Sequence, residues 1–177
     1  MFFIHQKIIL HIRIVWVELI FFYEISLRNS TLKSGDILIT NATSKNGITG
    51  HAGLVLDANE ILHIQGAGYN PVVDTKARFI HRYKNGWIKV YRPSNTSMGE
   101  SAANWADKKY RNSGALYGIN LDLNRTDLTY CSKIVWQSYF FGVGRKSILN
   151  SNKSRLIRPY NLKFEIRNLK FAGNVSN

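Results

Sequence analysis

Three side chains in this sequence have the types and the spacing that nucleophilic catalysis needs. Cys131 is the only cysteine among the 177 residues, and it lies in the stretch TYCSKIVWQSYFFG, residues 129–142. A single cysteine forms no internal disulfide, so it is a core side chain, one half of an intermolecular disulfide, or a nucleophile. A nucleophilic thiol needs a base, and histidine is the usual one. His51 and His63 are the candidates because each lies in a segment with strand character.

A helix is predicted to begin at Cys131 and to end at Gly142. Its apolar and small residues recur at steps of three and four, which is typical of a helix packed on a core: Ile134, Val135, Ser138 and Tyr139. Unpaired amide groups and the helix dipole favour a negative charge in the first turn. The sequence therefore predicts a lowered pKa for the Cys131 thiol.

Two strands joined by a tight turn are predicted to bring His51 and His63 together. Short runs rich in branched residues and bounded by Gly, Asn and Asp indicate strands at 36–40, 51–57, 60–65 and 86–92. The second and third runs form a hairpin through residues 57–59, which places both imidazoles on one face as cross-strand neighbours. One ring would act as base and the other would orient it. Spacing alone also allows a buried cysteine and two hydrogen-bonded histidines without catalysis.

The other histidines show no partner spacing. His5 and His11 lie in the N-terminal stretch, and His81 lies in the basic run RFIHRYK, so a solvated role is predicted for each. No spacing typical of metal ligands occurs, so neither a metal nor a cofactor is expected.

The chain is basic, with 24 Lys and Arg against 11 Asp and Glu and a formal charge of +13. Such a charge favours anionic partners, among them nucleic acid, an anionic membrane surface and wall polymers. The basic residues form no continuous run and accompany no nucleic-acid-binding motif, so no specific nucleic-acid partner is predicted.

One folded domain is predicted over residues 31–177, preceded by an apolar segment at 1–30. Charged residues interrupt that segment too often for a regular spanning helix or signal peptide, so a degenerate signal-anchor, an interfacial helix and a packed helix stay open. A helix is also predicted over 97–112, with Ser97 and Glu100 as a capping box.

Four motifs together resemble a known family: SGDILIT, GHAGLVLDANEILHIQG, YCSKIVWQSYF and IRPYNL. They are similar to the permuted branch of the NlpC/P60 papain-like superfamily, the YiiX/YebB/YycO-type cysteine hydrolases, in which the histidine strand precedes the nucleophile helix. The resemblance covers about residues 31–165 and implies an α+β fold, an antiparallel sheet packed against helices with the nucleophile at a helix N-terminus.

The resemblance also implies roles for individual residues. Cys131 corresponds to the nucleophile, His51 to the base and His63 to the orienting residue, with Gln65 as the alternative orienter. A tyrosine that helps to bind the oxyanion corresponds to Tyr117, and less closely to Tyr130. The implied reaction is acyl transfer through a thioester, without a metal.

Three functions follow as hypotheses. The first is a cysteine amidase or peptidase acting on an acyl or peptide substrate, with peptidoglycan peptides as the candidate. The second is a lipid-directed thioesterase or acyltransferase at a membrane surface, and the third is a non-catalytic module that binds an anionic membrane or wall polymer. The resemblance implies a bacterial cell-envelope or secreted location, with the cytoplasm as the alternative.

Overall fold

The computed structural model describes residues 31–43 and 49–175. The predicted N-terminal segment at 1–30, with His5 and His11, lies outside these residues. Eight strands and four helices are defined within them. The strands are β1 Ile37–Thr40, β2 His51–Asp57, β3 Glu60–His63, β4 Val72–Thr75, β5 Ile88–Pro93, β6 Leu116–Tyr117, β7 Leu128–Thr129 and β8 Leu169–Val175. The helices are α1 Lys76–Arg82, α2 Thr96–Tyr110, α3 Cys131–Gly142 and α4 Leu162–Glu165.

The main sheet has six strands in the order β4-β3-β2-β1-β5-β8, and every neighbouring pair is antiparallel. The predicted hairpin is confirmed: the amide of Asn59 donates to Oδ1 of Asp57 at 2.7 Å, which closes the turn between β2 and β3. A separate parallel pair, β6 and β7, lies beside the start of α3. The predicted α+β architecture, with an antiparallel sheet against helices, is confirmed.

Helices cover both faces of the sheet. On one face, α2 and α3 pack against alternate residues of β1, β2 and β3, which form one large core. On the other face, Phe79 and Ile80 of α1 and Tyr83, the residue that follows the helix, pack in a second core with Leu38, Val55 and Ile61. The alternation of β2 explains the division, because Ala52 and Leu54 belong to the first core and Val55 to the second.

Backbone contacts bring α2 directly against the start of β1. A Cβ atom added at Gly35 would overlap the Cα of Gly99 on α2, so no side chain fits between the two segments. Tyr139 of α3 donates its hydroxyl proton to the carbonyl of Gly35 at 2.5 Å and ties the second helix to the same point. β1, α2 and α3 therefore pack closely together at this point.

The boundaries of α2 differ from the prediction. The helix spans Thr96–Tyr110, and Asn95 is its N-cap, with a side chain that accepts a hydrogen bond from the amide of Ser97 at 2.9 Å. The predicted capping box on Ser97 is wrong because Asn95, an equally good capping residue, begins the helix two residues earlier. The predicted helix from Cys131 to Gly142 is confirmed at both ends.

Candidate active site

Cys131 is the first residue of α3, and its thiol faces the end of the main sheet. Tyr130 precedes it in an extended conformation, and no side chain caps the helix. The backbone amides of Ala52 and Ser132 lie near the sulfur of Cys131 and act to lower the pKa of its thiol. Because Ala52 directly follows His51 in β2, this proximity places the sulfur next to the strand that carries the predicted base.

Burial governs the ionisation of Cys131. Only 9% of the residue is exposed, and burial raises the pKa of its thiol, although the backbone donors around the sulfur act in the opposite direction. The predicted lowering of this pKa is therefore wrong. The physical reason is that the amides of the helix N-terminus stabilise the thiolate less than loss of water destabilises it.

His51 and His63 lie on the neighbouring strands β2 and β3 and contact each other through their rings. Nε2 of His51 lies 3.1 Å from Nδ1 of His63, and the rings meet edge to face with their centroids 5.2 Å apart. His51 is 4% exposed and His63 is fully buried. Burial lowers the pKa of His51 well below its ordinary value, and the neighbouring His63 and Arg82 lower it further.

Asp74 of β4 extends this pair into a chain of three groups. Its Oδ2 lies 3.0 Å from Nε2 of His63, and the carboxylate is almost fully buried. A carboxylate accepts hydrogen bonds, so Nε2 of His63 must carry the proton and Nδ1 must accept one. His51 then donates from Nε2 to His63, which leaves Nδ1 of His51 free to accept a proton. This is the tautomer that a base beside a thiol requires.

Charged and polar groups hold Asp74 in place. Arg82 donates from Nε to Oδ2 of Asp74 at 3.2 Å and from Nη1 to Oε1 of Gln65 at 2.9 Å. Burial raises the pKa of Asp74, but the hydrogen bonds and charges of His63 and Arg82 hold it below its ordinary value. Among the described residues His63 accepts the hydrogen bond from Nε2 of His51, while Gln65, the alternative orienter, accepts one from Arg82.

Aromatic rings at the end of α1 pack against the two histidines. Tyr83 stacks on His51 with a centroid distance of 4.7 Å, and Phe79 meets His63 edge to face at 5.1 Å. The rings approach closely because Gly53 has no side chain: an added Cβ would lie 2.9 Å from Cε2 of Phe79 and 2.8 Å from Cγ2 of Ile61. The imidazoles are therefore held by packing as well as by hydrogen bonds.

The two tyrosines predicted to bind the oxyanion both line the same cavity as Cys131. Burial and the nearby Cys131 raise the pKa of each. The hydroxyl of Tyr130 accepts a hydrogen bond from the amide of Ile157 at 3.1 Å, so it also supports the loop opposite. Tyr117 is half-buried in β6, and its hydroxyl has no protein partner among the described residues.

A buried lysine supports the loop that carries Tyr117. Lys133 of α3 is completely buried and donates from Nζ to Oδ1 of Asn120 at 2.9 Å and to the carbonyl of Leu128 at 3.0 Å. Asn120 in turn donates to the carbonyls of Gly118 and Leu128. Burial lowers the pKa of Lys133 to about 8. The nucleophile helix and the Tyr117 segment are thus joined as one unit.

These groups open into a cavity of about 850 Å³, a size that suits a small-molecule or acyl ligand. His51 and Cys131 line it together with Arg82 and Arg158. Its other walls are mainly aromatic and aliphatic: Tyr69, Tyr83, Tyr117, Ile119, Tyr130, Leu156, Ile157, Pro159 and Tyr160. The cavity can therefore receive a carbonyl at the thiol and an apolar group beside it.

Sequence reasoning missed Asp74, Arg82 and the rings of α1. Asp74 lies in VVDT, where a single acid in a run of branched residues is the only local signal of a buried carboxylate in a strand. The predicted residues Cys131, His51, His63 and Tyr117 are brought to one site. His81 lies on α1 and is exposed.

The fold is that of the papain-like proteins. The chain belongs to the family of lipoprotein N-acylation proteins that resemble LnsA, whose model matches residues 2–170. The predicted membership in the YiiX-type, permuted NlpC/P60 group is confirmed by this match and by the structural neighbour described next.

Two relatives are informative. The chain is 38% identical over 142 residues to an uncharacterized 30.3 kDa protein of Bacillus thuringiensis, and the alignment covers 75% of this chain and 52% of that protein. The chain thus spans about half the length of this relative. The crystal structure of the metalloprotein YiiX from Escherichia coli O157:H7 superposes with a TM-score of 0.59 at 14% identity, covering 84% of this chain and 100% of the other.

The YiiX protein is described as a metalloprotein. Over residues 31–43 and 49–175, no group of three or more His, Cys, Asp or Glu side chains is placed to hold a metal ion. The His51, His63 and Asp74 chain uses its ring nitrogens for hydrogen bonds between its members.

Proposed function

We propose that this protein is a cysteine-dependent acyltransferase of the cell envelope, which takes an acyl group from a lipid ester onto Cys131 and passes it to an amine. The observation that supports it most directly is that Cys131 and His51 line the same cavity. The chain of His51, His63 and Asp74 supplies the base, and the family description supplies the kind of acceptor.

The first half-reaction forms a thioester. Nδ1 of His51 takes the thiol proton of Cys131 as the sulfur attacks the ester carbonyl, and the C=O electrons move to oxygen. The amide N–H of Cys131 and the hydroxyl of Tyr117 would donate to this oxyanion. When the tetrahedral intermediate collapses, the C–O bond breaks and the leaving alcohol takes the proton from His51. The acyl group stays on Cys131 as a thioester.

The second half-reaction frees the enzyme. A neutral amine attacks the thioester carbonyl while His51 accepts its proton, and the C–S bond breaks as the sulfur takes that proton back. The products are an amide and the original thiol. Water in place of the amine gives a carboxylic acid, so the same residues would also support hydrolysis.

The pKa shifts of Cys131 and His51 determine when the thiol proton is transferred. Burial raises the pKa of Cys131 and lowers that of His51, so the resting pair is a thiol and a neutral imidazole. The proton then moves as the sulfur attacks, with His51 as a general base. A neutral resting thiol also resists oxidation and adventitious alkylation.

A second candidate function is the cysteine amidase or peptidase acting on wall peptides. Arg82 and Arg158 at the cavity favour it, because guanidinium groups bind the carboxylates that such peptides contain. The thioester chemistry would be the same, with an amine as the first leaving group and water as the acceptor.

Intact-protein mass spectrometry separates these candidates. The full-length protein is incubated with phospholipid vesicles, then with a lipopeptide that has a free α-amine, and in parallel with muropeptides, with Cys131→Ala as control. We expect a hydroxylamine-sensitive acyl adduct on Cys131 that disappears as the lipopeptide is acylated. Muropeptide cleavage without a lipid adduct would favour the amidase, and neither product would overturn both proposals.

A further inference from the structure

Large apolar side chains surround the cavity mouth on the surface of the protein. Tyr69, Ile119 and Leu156 line the cavity and are 52%, 66% and 40% exposed. Leu121, which is 57% exposed, lies beside them outside the cavity. We call these four residues the apolar rim. Globular proteins rarely cluster exposed apolar groups in this way unless the surface has a partner.

Hydrogen bonds hold the rim in one place, although its members come from three segments. The amide of Arg155 donates to the carbonyl of Leu121 at 2.8 Å, and Asp122 and Ser154 form a bridge beside it. The amide of Tyr117 donates to the carbonyl of Tyr69 at 3.2 Å, which joins the third segment. The rim is therefore a formed surface around the entrance to Cys131.

We propose that the apolar rim docks on an anionic lipid bilayer, so that an acyl chain passes from the membrane into the cavity without crossing water. Aliphatic side chains enter the acyl region, and a tyrosine suits the interface because its ring is apolar and its hydroxyl is polar. Arg158 is exposed at the same mouth, and the whole chain has a formal charge of +13. Both favour lipids with anionic headgroups.

This inference rests on the proposed acyl transfer for its purpose, but its test does not depend on catalysis. Cys131→Ala removes the only cysteine. In that background a single cysteine is introduced by Leu121→Cys, by Leu156→Cys or, as the matched control, by Phe171→Cys. Phe171 is 54% exposed on β8, at the far edge of the main sheet. Each variant is labelled with the environment-sensitive dye NBD and mixed with phosphatidylglycerol vesicles or phosphatidylcholine vesicles.

We expect the labels at positions 121 and 156 to shift to shorter emission wavelengths with phosphatidylglycerol vesicles and to be quenched by spin-labelled acyl chains. The label at position 171 should stay in water. Vesicle binding with every label in water would overturn the inference and assign the binding to another segment, such as residues 1–30. A blue shift with a soluble lipopeptide alone would also overturn it, in favour of a protein partner.

A second measurement links the surface to turnover. Leu121→Ser lies outside the cavity, so we expect it to lower the rate with a vesicle-embedded ester while the rate with a soluble short-chain ester stays the same. Equal losses on both substrates would contradict docking. If the labels enter the bilayer and no acyl adduct forms on Cys131, the docking surface stands and the proposed transfer fails.

Discussion

His63 donates a hydrogen bond from Nε2 to Oδ2 of Asp74 over 3.0 Å, and this bond determines which nitrogen of the next ring can act as a base. Because Asp74 only accepts, His63 must accept from His51 through Nδ1. Two buried rings therefore have one compatible set of protons, and that set leaves Nδ1 of His51 unprotonated.

Asp74→Asn should change the tautomer of both histidines. The amide of asparagine can donate to Nε2 of His63, which moves the His63 proton to Nδ1 and places a proton on Nδ1 of His51. We expect kcat to fall on the order of 100-fold, as for loss of a positioned base, with little change in KM. Nitrogen NMR shifts of His51 would show the tautomer change.

Asp107→Asn is the control for this variant, because Asp107 is a surface carboxylate on α2 that pairs with Arg111. It should leave kcat unchanged. Thermal denaturation of both variants separates positioning from unfolding. An Asp74→Asn enzyme with normal kcat would show that the tautomer of His51 does not depend on Asp74.

Tyr117→Phe removes the free hydroxyl near Cys131. We expect kcat to fall about 100- to 1,000-fold, as for other oxyanion donors, with unchanged stability. Tyr130→Phe should instead lower stability by about 1 to 3 kcal/mol, because it leaves the amide of Ile157 without its partner. Steady-state kinetics and urea unfolding measure the two effects. A reversed pattern would assign the oxyanion to Tyr130.

Gly53→Ala tests the packing that holds the imidazoles. The new methyl group would lie 2.9 Å from Cε2 of Phe79, and that ring contacts His63. We expect a loss of about 1 to 3 kcal/mol in the free energy of unfolding together with lower kcat. Gly114→Ala is the matched control because nothing lies within 4 Å of its added Cβ. Equal stability of the two variants would argue against this contact.

Alkylation of Cys131 should be slow at neutral pH. Because burial raises the pKa of its thiol, the reactive thiolate is scarcer than in a free cysteine peptide and increases as the pH rises. The rate of iodoacetamide labelling, followed by mass spectrometry from about pH 6 to about pH 10, gives the apparent pKa. Labelling faster than the peptide at pH 7 would show that an ion pair with His51 outweighs burial.

Acid should destabilise the fold through His51. Its pKa is lowered in the folded protein, so below the ordinary value of 6.5 the unfolded chain binds a proton that the folded chain does not. The free energy of unfolding then falls with falling pH, by up to about 1.4 kcal/mol per pH unit for one proton. His51→Gln should flatten this slope in urea titrations, whereas His81→Gln on the surface should not.

The strand pair β2–β3 and the nucleophile helix α3 could be predicted from the sequence because both depend on local patterns. Alternation in β2 and β3 and the turn at Asp57 place His51 beside His63, and helical spacing after Cys131 defines α3. Asp74 was missed because its role depends on β4 pairing with β3, a contact between segments joined by an irregular loop. The prediction for the pKa of Cys131 was wrong because the burial of the thiol depends on all the segments around it.

The close approach of Gly35 to Gly99 leaves no room for a side chain between β1 and α2. Backbone atoms that touch cannot rotate aside as side chains do, so β1 and α2 keep their spacing, and Tyr139 ties α3 to the same point. We expect the thiol at the start of α3 to keep a constant distance from the strands that carry its base throughout the catalytic cycle.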